Sequence, residues 1–129
     1  MPKCKFYHTS KFKREFKKFR KKCRSIHSDF ERFEKVLETQ IKVNDTKVPE
    51  TEYFRVSGIG KDFKCDAYIA KKFHCEKMGG GANSGFRISF IYCQQYNEIY
   101  YVEFYFKSKN STQKADLSRI VKQCDLLYS

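Results

Sequence analysis

Tryptophan is absent from the 129-residue sequence, and proline is limited to two positions. No apolar run approaches the roughly 20 residues that a membrane-spanning helix needs. The longest, Ile99 to Phe106, is interrupted by Glu103. Met1 to His8 holds no apolar stretch of the kind that drives export, so no secretory signal is expected and a cytoplasmic location is. The cysteines at 4, 23, 65, 75, 93 and 124 include no Cys-x-x-Cys pair, which argues against a zinc knuckle. His8, His27 and His74 are scattered, without His-x-x-x-His spacing. Neither metal nor cofactor is therefore expected. Gly79-Gly80-Gly81 is followed by no Lys-Ser/Thr, which excludes a Walker A loop. Ser84 precedes a glycine but sits in no Gly-x-Ser-x-Gly elbow, which argues against a serine hydrolase.

What the sequence does have is aromatic bulk and positive charge. Thirteen Phe and nine Tyr supply most of the apolar volume, too much for a disordered chain. The length suits one domain, 1–129, with one core. There are 27 Lys and Arg against 15 Asp and Glu, a formal net charge of +12. The excess is concentrated: residues 1–24 hold 11 basic residues and one acid, Glu15. Such density favours a polyanionic partner over an inert solvated face. Without an export signal, the six cysteines read as reduced thiols, mostly buried as small apolar residues.

The hydrophobic period orders the elements. Residues 4–9 read as a short strand. Ser10 is a candidate cap for a helix in which Phe12, Phe16, Phe19 and Cys23 form one stripe and the remainder is almost wholly basic. A narrow, all-Phe stripe suits core packing better than a membrane surface. A second helix begins at Ser25, with Ile26, Phe30, Phe33, Leu37 and Ile41 inward. Residues 42–65 look irregular, with a short strand at most between Val48 and Val56. Strands follow at 66–75, 86–93 and 99–107, separated by a glycine-rich loop over 78–85 and a turn at 94–98. A closing helix begins near Gln113, with Leu117, Ile120, Val121, Cys124 and Leu127 inward. This order defines an α+β domain: an antiparallel-rich sheet with helices on one side.

Arg87 stands out within the strands. It is opposite in parity to Phe86 and Ile88, so it leaves the core face, either for solvent or for a cleft. Lys71, Lys72, Lys107 and Lys109 are further cations on or beside the strands.

These residues carry a resemblance. Lys71-Lys72-Phe73-His74-Cys75, a glycine-rich loop and Ser84-Gly85-Phe86-Arg87-Ile88 resemble the centre of the RelE/ParE toxin superfamily. The strand ending in Lys107-Ser108-Lys109, the closing helix and the N-terminal Phe-x-x-x-Phe-x-x-Phe helix are similar too. The likeness spans most of the chain except 43–64. It implies a small RelE-like fold: an N-terminal strand, a helical hairpin, an antiparallel-rich sheet and a C-terminal helix. It also implies one of two activities. RelE-like members are ribosome-dependent mRNA endonucleases restrained by a cognate antitoxin protein; ParE-like members bind DNA gyrase. The Ser-Gly-Phe-Arg strand and the cations are more similar to the RelE branch. By this resemblance Arg87 stabilises the phosphate, and Lys71 or Lys72 orients it or accepts a proton. Lys107 and Lys109 supply further positive charge. Tyr128 either stacks on a base, donates a proton or simply packs as a tail residue. Lys11, Lys13, Arg14, Lys17, Lys18, Lys21 and Lys22 would contact messenger or ribosomal RNA through phosphates. Two features depart from the family pattern. Ile69 stands where many relatives have a strand lysine, and the C-terminal tail has no histidine. A catalytically silent RNA- or ribosome-binding module on the same fold, or a gyrase inhibitor, are the alternatives.

Overall fold

The computed structural model describes residues 4–56, 65–75 and 85–107, together with Leu117. These residues form an α+β arrangement of two helices and a five-stranded, mostly antiparallel sheet. The chain begins with strand β1 (Lys5–His8), then helices α1 (Ser10–Lys22) and α2 (Ile26–Val43). Strands β2 (Phe54–Arg55), β3 (Cys65–Ala70), β4 (Phe86–Cys93) and β5 (Glu98–Phe106) follow. The order across the sheet is β1-β5-β4-β3-β2, with β1 parallel to β5 and every other pair antiparallel. No helix among the described residues is long and apolar enough to cross a membrane.

Helix α1 starts one residue earlier than a Ser10 cap would give. Thr9 is the cap: its hydroxyl oxygen accepts from Phe12 N–H at 3.2 Å and its O–H donates to Val102 C=O at 3.2 Å. A single side chain therefore satisfies an orphan donor of the helix and pins the helix start to β5. Ser25 precedes α2 but makes no capping bond; its hydroxyl donates to Asp29 Oδ2 at 2.8 Å. Helix α2 runs two residues past Ile41, the last position of the expected stripe.

Both helices cover one face of the sheet. Phe12, Ile26, Leu37 and Ile41 are buried there against Ile88, Phe90, Tyr101 and Phe104. Aromatic rings dominate: Phe12 lies 5.4 Å from Phe30 and 5.2 Å from Tyr101, and Phe86 stacks on Phe104 at 5.1 Å. Each buried Phe contributes roughly 1.5–3 kcal/mol through area removed from water, and favourable ring pairs add somewhat more. The opposite face has its own small cluster, including Ile69, Ile91, Val102 and Leu117. Leu117 is helical and fully buried in it, so helical structure is not confined to one side as the sequence pattern suggested. The remainder of the expected closing helix lies outside the described residues.

The strand expected over 66–75 ends at Ala70. Tyr68 and Ala70 point to the helix-covered core, so strict alternation would bury Lys72 there. The chain instead leaves the ladder at Lys71 and Lys72, which stay exposed, and places Phe73 in that core at 0% exposure. Burying a ring in place of an ammonium explains the early end of the strand.

The reading of all six cysteines as reduced thiols is corrected. Cys65 and Cys93 face each other in the β3–β4 register, with Cα atoms 4.2 Å apart, and form a disulfide. Directly opposed residues of an antiparallel pair are the closest cross-strand neighbours, which is what lets these two sulfurs meet. Cys4, Cys23 and Cys75 are free and buried.

Candidate nucleic-acid interface

Helix α1 presents its charges in two sets. Lys11 and Glu15 turn inward to β5: Lys11 Nζ pairs with Glu103 Oε2 at 3.0 Å, and Glu15 Oε1 accepts from Phe104 N–H at 3.1 Å. Burial raises the Glu15 pKa, opposed by that backbone bond. Lys13, Arg14, Lys17, Lys18, Lys21 and Lys22 are all exposed. The sole acid of the N-terminal segment thus faces the sheet, and the outer face of α1 is purely cationic. Between α1 and α2 lies a groove of about 460 Å³ floored by Phe12, Phe16 and Phe30, with Lys13 and Lys17 on one wall and Glu31 on the other.

The second positively charged region lies on the sheet. Phe86, Ile88, Phe90 and Tyr92 of β4 face the helices, so Arg87, Ser89 and Ile91 face the other way. Arg87 is half-buried and pairs in register with Tyr105. The last β3–β4 pair is Ala70 with Ile88, and the chain leaves the ladder at Lys71. Lys71 Nζ sits 4.3 Å from the centre of the Phe54 ring, a contact that positions the ammonium without neutralising it. Phe54 belongs to β2, on the other side of β3 from β4, so the ammonium of Lys71 is not brought against Arg87.

Lys72 goes elsewhere. It lines a cavity of about 290 Å³ on the α2 side, together with Asp29, Arg32, Glu52 and His74. Lys107 is exposed just past β5, its N–H donating to Gly85 C=O at 2.9 Å. That bond ties the end of β5 to the residue that precedes Phe86 and Arg87. Lys109 and Tyr128 lie outside the described residues.

One feature of this face was missed by the sequence reading. Glu103 is buried at 3% exposure and accepts from Ser89 O–H at 2.8 Å as well as from Lys11. The signal was present, since Glu103 is the lone acid in the most apolar stretch. A buried carboxylate requires partners, and Ser89 is its direct cross-strand neighbour. The pair holds β4 and β5 rigid two residues from Arg87. Among the described residues no group of His, Cys, Asp and Glu side chains could hold a metal ion.

No family model, curated protein or solved structure matches this chain.

Proposed function

We propose that this protein is an RNA-directed toxin with a RelE-like fold: an endoribonuclease that cleaves messenger RNA on the ribosome in the cytoplasm and is held in check by an antitoxin protein. The single observation that supports it best is the position of Arg87, half-buried on the sheet face away from the helices. The resemblance of Ser84-Gly85-Phe86-Arg87-Ile88 to the RelE strand points to the same arginine. The exposed cations of α1 are a separate surface, suited to ribosomal RNA phosphates, with contacts that weaken as salt rises.

The chemistry is a transesterification. The ribose 2′-oxygen attacks the adjacent phosphorus, the bond from phosphorus to the 5′-oxygen breaks, and a 2′,3′-cyclic phosphate and a 5′-hydroxyl result. One proton leaves the 2′-hydroxyl and one reaches the departing 5′-oxygen. The Arg87 guanidinium offers a planar donor fork to the phosphate oxygens as charge builds on them.

A catalytically silent RNA-binding module is the second reading. It is favoured by the placement of Lys71 over Phe54 and of Lys72 in the cavity beside α2, which leaves neither lysine against Arg87. The experiment is 5′-end mapping by primer extension, with purified protein and ribosomes programmed with a defined message. New ends within the ribosomal A-site codon that depend on ribosomes support the toxin reading. Intact message at saturating, ribosome-bound protein leaves the binding module.

A further inference from the structure

Two of the free thiols meet at the joint between the helices and the sheet. Cys23 ends α1, its N–H donating to Phe19 C=O at 2.9 Å. Cys75 ends the irregular segment that follows β3. They are 52 residues apart in sequence, yet their Sγ atoms are 3.3 Å apart. The Ser25 hydroxyl lies 3.5 Å from one sulfur and 3.8 Å from the other, and it also donates to buried Asp29. Cys4 is different: its thiol donates to Asn97 Oδ1 at 3.2 Å, and burial, then Glu38, pushes it up to about 11.

The two facing sulfurs are not equivalent. Burial disfavours a thiolate at Cys23, but its contacts with Ser25 and Cys75 outweigh it and bring the thiol below its ordinary value. Burial, then the Cys23 contact, pushes Cys75 up to about 11. Cys23 is thus the better nucleophile, and Cys75 keeps its proton beside it.

We propose that Cys23 and Cys75 form a reversible dithiol–disulfide couple, oxidised by exchange with a small-molecule disulfide of the glutathione class, whose closed form ties the α1–α2 joint to the segment after β3. Joining the sulfurs takes roughly 1 Å of approach from their present separation. The same structure holds Cys65–Cys93 closed and this pair open. The step balances. The Cys23 thiolate attacks one sulfur of the small disulfide, forming a mixed disulfide and releasing one small thiolate. Cys75 then loses its proton and attacks the Cys23 sulfur, forming Cys23–Cys75 and releasing the second small thiolate. The small disulfide is reduced by two electrons to two thiols, and the protein dithiol is oxidised by two. Access of the reagent to the buried sulfurs comes through local opening of residues 71–75, which lie outside the strands. That segment begins with Lys71 and Lys72, so closing the couple restrains the stretch that carries them. The inference does not depend on the RNA reading.

The experiment equilibrates the native full chain in a series of reduced-to-oxidised glutathione ratios, blocks free thiols with an alkylating agent and maps peptides by mass spectrometry. The expected result is joint loss of alkylation at Cys23 and Cys75, with a linked Cys23–Cys75 peptide that disappears when the reduced form is restored. In Cys75→Ser, Cys23 retains one glutathione, because no second thiol displaces it. Full alkylation of Cys23 and Cys75 at the most oxidising ratio, with Cys65–Cys93 closed, overturns the proposal. So does a linked peptide that joins either residue to a different cysteine. Should Cys75→Ser fail to fold, the peptide map of the unsubstituted chain decides alone.

Discussion

The two faces of the sheet are cut from the same strands and carry opposite chemistry. Toward the helices β4 and β5 send Phe86, Ile88, Phe90, Tyr101 and Phe104, a nearly unbroken aromatic and aliphatic surface. Toward the other side they send Arg87, Ser89, Glu103 and Tyr105 beside a smaller apolar cluster and the Cys65–Cys93 bond. The first face is the larger apolar core, and the second holds its ionisable groups in fixed hydrogen bonds and an ion pair.

Removing bulk from the helix-covered face is expected to have the largest effect. Phe12 is fully buried among Phe30, Tyr101 and Phe104. Phe12→Ala should cost about 4 kcal/mol in denaturant unfolding. On the other face, Cys65→Ala with Cys93→Ala opens a covalent loop with a sequence separation of 28 and should cost about 3 kcal/mol, read by the same titration under non-reducing conditions. A smaller loss than that would mean the apolar cluster around Ile69 and Ile91 holds the face by itself.

Gly85 lies at the edge between the two faces. Its φ is +96°, and an added Cβ would stand 2.6 Å from the Phe106 ring. Gly85→Ala should cost about 2 kcal/mol through backbone strain and displacement of that ring, observed as a lower unfolding midpoint.

The smallest expected effect concerns pH. His8 touches Phe12, Phe30 and Tyr101 edge-on. Burial, then the Lys13 charge, lowers its pKa below the ordinary 6.5. The folded state therefore binds this proton less readily than the unfolded chain. The contribution of His8 to stability is intact above 6.5 and declines as the pH falls through 6.5 toward the lowered value. A His8→Gln variant should show a flatter unfolding midpoint between pH 7 and pH 5 than the parent. An unchanged slope would remove His8 from the account.

Much of this arrangement was legible in local pattern. The spacing of Phe12, Phe16 and Phe19 marked the helix and its buried side, and the parity of Arg87 against Phe86 and Ile88 placed it off the helix-covered face. What sequence could not give depends on register. No local signal distinguishes Cys65 and Cys93 from the other cysteines; only the β3–β4 alignment opposes them. Lys71 and Lys72 looked interchangeable because they are adjacent, yet the ladder ends between Ala70 and Phe73 and sends them to different surroundings. Glu103 looked like an interruption in an apolar strand. Its role emerged only when Ser89 and Lys11, remote in sequence, were seen to meet it.

The proposed division between a docking helix and a reacting sheet face is tested most directly by one paired measurement. Message cleavage and ribosome binding are read in parallel for the parent, for Arg87→Ala and for Lys13→Glu with Lys17→Glu. The account predicts at least about a hundredfold loss of cleavage with binding retained for Arg87→Ala, and loss of binding with a shallower salt dependence for the α1 variant. Cleavage that survives Arg87→Ala undiminished would contradict it and move the chemistry off the sheet.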